Sequence, residues 1–192
     1  MATPRGQAAD WGDPWPVQGV RRAEPEPSPG VAALADDGFV AVFEVETLET
    51  DRDEYQDHLN NAAVVRIFNE LRTAYIAARF APDWPRYVRR QGLTVAVREL
   101  HVLYESEGWM HERYVGGTRV TQSRGKAVVV EQRLVEASTA RPLARAWVLQ
   151  LLVDADGRVT EWPSVFWDLV QDVQGGPAAR VDDPARPAWG PP

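Results

Sequence analysis

Residues 53–62 read Asp-Glu-Tyr-Gln-Asp-His-Leu-Asn-Asn-Ala. One hydrophobic period stops here and another begins. Upstream, residues 38–50 alternate strictly after Val42, with Phe43, Val45 and Thr47 on one face and Glu44 and Glu46 on the other. That pattern is a half-buried strand. Asp51 to His58 is polar and has no period, so it reads as a loop. From Asn60 onward, Val64, Phe68, Leu71, Tyr75 and Ala78 step by three or four, and Ile67 and Ala74 widen the stripe. This predicts an amphipathic helix of about five turns. Pro82 and Pro85 are expected to end it, because proline disfavours helix in the residue before it. Asn60 or Asn61 suits the N-cap, where an Asn side chain accepts from a first-turn amide.

Strand-like runs follow the helix. Residues 93–106 hold Leu93, Val95, Val97, Leu100, Val102 and Tyr104, and residues 112–122 hold Tyr114, Val115 and Val120 around two glycines. Residues 127–137 are Val-rich, and residues 143–153 form a long apolar run. Turn sequences separate them at Ser123–Lys126, Thr139–Pro142 and Asp154–Gly157. A short helix through Val165, Phe166, Leu169 and Val170 closes the pattern. A strand, one long helix and four or five consecutive antiparallel strands make an α+β layer architecture.

Proline marks the expected limits of this domain. Six of the 15 prolines lie in residues 1–30 and five in residues 177–192. Residues 1–35 and 175–192 therefore read as Pro-rich, disordered arms around a domain at 36–174. At 44% hydrophobic, the chain can bury a core. With no Cys there is no disulfide scaffold, thiolate zinc site or thiol nucleophile. Only three His are present (58, 101 and 111), without metal-binding spacing, so no metal or cofactor is expected. The N-terminus has no apolar signal region, and no run is long enough to span a membrane. A soluble, cytoplasmic protein is the expectation.

The net charge of −7 argues against general nucleic-acid binding, which needs a basic surface. The charge is segregated. Residues 36–57 carry nine acidic side chains against Arg52, and residues 66–98 carry seven Arg against Glu70 and Asp83. Either these are solvated faces that pair with each other, or a carboxylate-bearing entrance faces an Arg-rich anion-binding rim.

In its position between strand and helix, the stretch Asp53 to Ala62 resembles the Asp-x-x-Gly-His-Val-Asn-Asn-Ala signature of hotdog-fold acyl thioesterases, the 4-hydroxybenzoyl-CoA thioesterase-like family. Phe68 to Arg72 is similar to that family's aromatic-x-x-x-Arg on the central helix. Val102-Leu103-Tyr104 and the turn at 123–126 resemble its second long strand and third hairpin. The resemblance covers about residues 38–174. It implies a hotdog fold: a long central helix wrapped by an antiparallel sheet. The sequence departs from the signature in two places. Asp57 stands where the family has Gly, and Glu54 stands four residues before His58 where the family has a catalytic Asp. Asp53 is one residue further back. In a subset of the family a Glu follows a Tyr on the next strand, which makes Glu107, after Tyr104, a third candidate carboxylate.

The activity this resemblance implies is hydrolysis of an acyl-CoA, or of an acyl group on a carrier protein. A loop feeding a helix N-terminus supplies unpaired amides and the positive end of the helix dipole for the carbonyl oxygen. Each such donor is typically worth about 3 kcal/mol at the transition state. Asp53 or Glu54 would serve as general base or nucleophile. His58 would orient water or that carboxylate, and Asn60 or Asn61 would hold the loop or the thioester. Arg89 and Arg90 after the helix, and Arg124 and Lys126 in a turn, are candidates for phosphate contacts. The alternative is a non-catalytic hotdog module that binds acyl-CoA or another protein. A hotdog dehydratase ranks last, since His58-Leu59-Asn60-Asn61 lacks the Pro-Gly that follows the His there. An edge strand left unpaired calls for a homodimer or a dimer of dimers, and hotdog proteins place their sites at such interfaces.

Overall fold

The computed structural model describes residues 20–21, 25–80 and 83–180. Its strands are β1 (Val20–Arg21), β2 (Val42–Val45), β3 (Thr94–Tyr104), β4 (Tyr114–Arg124), β5 (Ala127–Glu136), β6 (Pro142–Val153), β7 (Val159–Thr160) and β8 (Ala179–Arg180). Its α-helices are α1 (Pro29–Asp36), α2 (Asn61–Tyr75), α3 (Asp83–Arg90) and α4 (Ser164–Gln174). The sheet runs β1-β2-β4-β5-β6-β3 with every neighbouring pair antiparallel. β7 extends β6, and β8 lies parallel to β4. The fold is the α+β hotdog arrangement, with α2 as the wrapped helix.

α2 lies on the inner face of the sheet. Its buried stripe, Ala63, Val64, Ile67, Phe68, Leu71, Ala74 and Tyr75, meets Phe43, Val130, Leu134, Ala146 and Val148 in one core. The helix comes so close to β4 that a Cβ on Gly116 would stand 2.4 Å from Leu71 Cδ1. The stripe ends differently from its spacing. Ile76–Phe80 forms a π-helical turn, whose wider pitch shifts the phase of the face. Ala78 is thereby exposed, and Phe80, 1% exposed, enters the core. Pro82 lies outside the described residues. Pro85 does not end a helix; it sits in the first turn of α3, where a missing amide proton costs no hydrogen bond. Trp84 of α3 stacks on Trp162 at 5.8 Å, and Phe166 of α4 packs on both.

Three elements, β1, α1 and β8, fall in the expected arms. β1 pairs with β2, and Leu34 of α1, with Phe39 just after it, covers the outer face of the sheet against Val115, Val135 and Ala137. Arg119 lies over the Phe39 ring at 4.5 Å. α1 begins because Ser28 Oγ accepts from the Val31 amide and proline occupies the first turn. At the other end, β8 adds to β4 within the expected tail. The remainder of both arms, 1–19, 22–24 and 181–192, lies outside the described residues. Among those described, no helix is long and apolar enough to cross a membrane.

The Gln174 side chain plugs the sheet. Its Oε1 accepts from the Val120 amide at 2.7 Å and from the Tyr75 hydroxyl at 2.9 Å, and its Nε2 donates to the Val120 carbonyl at 2.9 Å. It thus serves β4 like a strand residue, at the bulge between the stretches paired with β2 and β8. Replacing Gln174 with Ala strips the Val120 amide, its carbonyl and the Tyr75 hydroxyl of partners. Stability by urea unfolding is expected to fall by about 1–3 kcal/mol.

Glu136 closes β5. Burial pushes its carboxyl up, but hydrogen bonds from the amides and hydroxyls of Thr139 and Ser138 outweigh that and hold it at about 2. Its folded value lies below its ordinary 4.5. Its stabilising contribution is therefore complete above that pH and is lost as pH falls toward 2. Glu136→Gln is expected to flatten the acid limb of a stability–pH curve in this interval. An unchanged limb would refute this assignment.

Candidate active site

The loop between β2 and α2 is closed by three backbone contacts. The Asp53 amide donates to His58 O at 2.8 Å, the Asn60 amide to Asp51 O at 2.8 Å, and the Leu59 amide to Gly108 O at 2.7 Å. The last contact, with the Met110 amide on Asp57 O and a bridge between His58 and Trp109, pins the loop to residues 108–110. A Cβ on Gly108 would meet Leu143 Cδ2 at 2.6 Å and the Tyr114 hydroxyl at 3.0 Å, so a side chain there would have to push the ends of Leu143 and Tyr114 aside. The 108–110 segment is itself braced. The Glu112 carboxylate accepts from the Trp109 amide, from the Tyr114 hydroxyl at 2.7 Å, and from Arg141 Nη2 at 2.8 and 2.6 Å on its two oxygens. Burial alone would raise Glu112, but these hydrogen bonds outweigh it and hold the carboxyl below its ordinary range.

Each expected site residue has a definite place. Asn60 is the N-cap of α2: its Oδ1 accepts from the Ala63 amide at 2.8 Å, and its Nδ2 donates to the carbonyls of Thr50 and Arg52. Asn61 is the first helical residue, is exposed, and accepts from the Tyr104 hydroxyl at 3.2 Å through its carbonyl. The amides of Asn61 and Ala62 precede the first intrahelical bonds, so they are the donors the helix head offers. Asp53 Oδ1 accepts from the Tyr55 amide at 2.9 Å and shapes the turn. Glu54 is exposed beside it, and Tyr55 stands 89% exposed at the tip. Asp57, in place of the family's Gly, pairs with Arg52. His58 is half-buried beside Trp109. Glu107 is exposed on the facing segment, and its carbonyl accepts from Arg141.

Asp51 stands out only in the structure. It is 2% exposed and receives Arg66 through Nε, at 2.9 Å, and Nη2, together with the Leu48 amide. Arg66 also reaches Glu70. The sequence shows Asp51 as one acid in a run, and no local pattern separates it from its neighbours.

The expected phosphate contacts do not join this group within one chain. Arg89 and Arg90 end α3, just before the first residue of β3, whereas the helix head touches Tyr104, its last. An eleven-residue strand sets these ends about 35 Å apart. Lys126 occupies the β4–β5 turn, at the same far end, where its Nζ donates to the Val159 carbonyl at 3.1 Å. The Arg124 side chain lies outside the described residues. A cavity of about 740 Å³ lies beside Ser28, Glu44, Arg113 and Glu136 rather than at the helix head, and Arg113 is paired with Glu44 there. Among the described residues, no group of three or more His, Asp or Glu is placed to hold a metal ion.

The two asparagines are thus separable. Asn60→Ala removes a cap and two loop bonds and is expected to cost about 1–2 kcal/mol in urea unfolding. Asn61→Ala is expected to change stability by less than about 0.5 kcal/mol. Equal losses would contradict the division.

The family model of the thioesterase-like superfamily matches residues 45–170. No curated protein matches the chain. Among solved structures, a thioesterase-superfamily protein from Jannaschia sp. CCS1 aligns with a TM-score of 0.65 at 20% identity, over 81% of this chain and 97% of that one. A thioesterase from Thermus thermophilus, complexed with coenzyme A and Zn, aligns with a TM-score of 0.60 at 19% identity, over 73% and 98%. A 1,4-dihydroxy-2-naphthoyl-CoA thioesterase from Synechocystis aligns with a TM-score of 0.61 at 11% identity, over 68% and 95%. At these identities the structural likeness speaks for the fold, and the family match, which spans most of the chain and all of the helix head, speaks for descent. The chain belongs to the thioesterase-like superfamily.

Proposed function

We propose that the protein hydrolyses an acyl thioester of coenzyme A to the free acid and the thiol. The observation that carries this reading is the helix head. The Asn61 and Ala62 amides lie in the first turn of α2, directly after a braced loop that bears Asp53, Glu54 and His58. These amides would hold the thioester carbonyl oxygen and the oxyanion that forms from it. Asp53 already engages one oxygen with the Tyr55 amide, so Glu54 is assigned as the general base. Its carboxylate takes a proton from water as the oxygen attacks the carbonyl carbon. The tetrahedral intermediate then collapses, the carbon–sulfur bond breaks, and the departing thiolate takes the proton back. A carrier-protein thioester presents the same chemistry. The Thermus structure, bound to coenzyme A, supports a CoA substrate by likeness.

The phosphate contacts fit this reading if two copies pair through β3. That strand is the outermost of the sheet, eleven residues long, with Val97 and Leu103 at 48% and 40% exposed. Antiparallel pairing of two such edges sets the start of one β3 beside the end of the other. Arg89 and Arg90 of the second copy then flank the helix head of the first. Coenzyme A would enter there, its phosphates on the arginines.

The second reading is an acyl-CoA-binding module without turnover. Asp57 in place of Gly, tied to Arg52, and the engaged Asp53 oxygen favour it. A hydrolysis screen over short, long and aromatic acyl-CoAs, run with light scattering, separates the two. The expected result is a dimer or tetramer that releases thiol, with kcat/KM lowered about a hundredfold or more by Glu54→Gln. Saturable binding with no turnover would establish the second reading. A monomer would remove the split phosphate site.

A further inference from the structure

α2 carries two arginines that meet different surroundings. Arg66 turns to the flank beside the exit of β2, where Asp51 and Glu70 take its guanidinium. Arg72 pairs with no carboxylate among the described residues. It is half-buried, and burial without a compensating charge pulls it down to about 10. Its partners are all neutral. Nη1 donates to the Gln132 side-chain oxygen at 3.0 Å and to the Phe68 carbonyl at 3.3 Å, and Nη2 donates to the Asn69 side-chain oxygen at 3.0 Å. Buried charges in folded proteins are as a rule paired, and a guanidinium matches a carboxylate best.

Gln132 fixes where this charge stands. Its Nε2 is spent on the Phe68 carbonyl at 2.8 Å and on Thr118 Oγ1 at 3.1 Å, which leaves its oxygen for Arg72. Across the inner face of the sheet, Gln132 of β5 is opposite Ala146 of β6, and Ala146 is opposite Val102 of β3. The middle position of that row carries only a methyl group. The next residue on the same face of β3 is Tyr104, whose hydroxyl donates to the Asn61 carbonyl at the helix head. Asn61, Val65 and Arg72 fall within about 40° of one another around α2, so they share the flank that Tyr104 touches. Val65 is 37% exposed and Tyr104 46% exposed, and Leu100 and Val102 are only partly buried. An apolar groove therefore runs from the helix head between α2 and β3, with an uncompensated cation at its inner end.

The length of this groove is set by both elements. The guanidinium reaches back to the Phe68 carbonyl, about 10 Å below Asn61 along the helix axis. Its row of the sheet lies one same-face step, about 7 Å, from the row of Tyr104. We propose that the groove takes the acyl chain of the substrate and that Arg72 binds a carboxylate at the far end of that chain. The substrate class is then a thioester of a short dicarboxylic acid, about four to six carbons long. This rests on the thioesterase reading, which puts the thioester carbonyl at the Asn61 and Ala62 amides. A chain of equal length without the second carboxylate presses an apolar end on the cation and leaves it unpaired.

The test assays the full chain with three thioesters of one six-carbon chain: adipoyl-CoA, its methyl ester at the far carboxyl, and hexanoyl-CoA. The parent is expected to favour adipoyl-CoA by about tenfold or more in kcat/KM, mainly through KM. Arg72→Gln is expected to bring the three values within about threefold of one another, and Arg72→Lys, which keeps the charge, to retain part of the preference. Equal use of adipoyl-CoA and its methyl ester by the parent overturns the proposal, whether or not an Arg72 variant folds. So does a folded Arg72→Gln protein that keeps the parent's preference, since a purely structural arginine lowers all three rates together. Hydrolysis of hexanoyl-CoA without preference for the diacid leaves the thioesterase reading standing and removes this inference. If no thioester of the wider screen is hydrolysed either, the thioesterase reading fails and calorimetric titration decides. Tighter binding of adipoyl-CoA than of its methyl ester, lost in Arg72→Gln, then sustains the carboxylate site, and equal binding or none overturns it.

Discussion

Asp51 holds both ends of the loop on which the site is built. Its carboxylate is buried and takes Arg66 from the second turn of α2, and its carbonyl takes the amide of Asn60, the residue that caps the same helix. One residue thus ties the exit from β2 to the entry of α2. A buried ion pair is a weak source of net stability, because desolvation offsets most of the attraction, but breaking one partner leaves a stranded charge. The effect is geometric. The stretch from Arg52 to Asn60 must span a short gap whose two ends are set by one residue, so the turn at Asp53 and the attitude of His58 are hardly free.

The same arrangement explains what the amino-acid pattern can show. The long helix and the strands from β3 to β6 follow directly from apolar spacing, although β4 and β5 bury both faces, the inner against α2 and part of the outer against α1. Asn60 is legible as a cap because capping is local chemistry within three residues. α1 is not legible from proline content averaged over 30 residues, because the decisive signal is the pair Ser28-Pro29, a cap followed by a residue suited to the first helical turn. Pro85 shows the same ambiguity from the other side: proline stops one helix or starts the next. Asp51 is illegible for a different reason. It differs from Asp53 and Asp57 only in what packs over it, and its partner is fifteen residues away.

Proximity in sequence misleads most for the arginines. Arg89 and Arg90 follow the helix that carries the site, yet α2 and α3 carry the chain to the opposite end of the sheet before β3 brings it back. The charge segregation of the sequence becomes a separation along the length of one strand. Arg66 is consumed by Asp51 and Glu70. Arg79, Arg86, Arg89 and Arg90 are exposed and form no ion pair among the described residues. The acidic run does not neutralise the basic one within these residues, so the expectation of two faces that pair with each other fails for α3.

This separation bears on how a single chain can meet an anionic substrate. Glu54 and Glu107 lie on facing segments at the helix head, and Asp57 already holds Arg52. A thioester whose tail carries phosphates is repelled by exposed carboxylates and attracted by the helix dipole and its open amides. The dipole acts only over the first turn, so it positions a carbonyl and does nothing for phosphates further out. Positive charge suited to that distance stands at the other end of β3, on arginines that no described carboxylate neutralises. The strand edge between the two ends is one with apolar side chains in the open. A second copy paired along it, as proposed, would meet both deficits at once, since antiparallel pairing would return the arginines to the carboxylates and cover part of Val97 and Leu103. In the proposed dimer, the edge and the charge cluster left exposed in one chain would become parts of a site built from two.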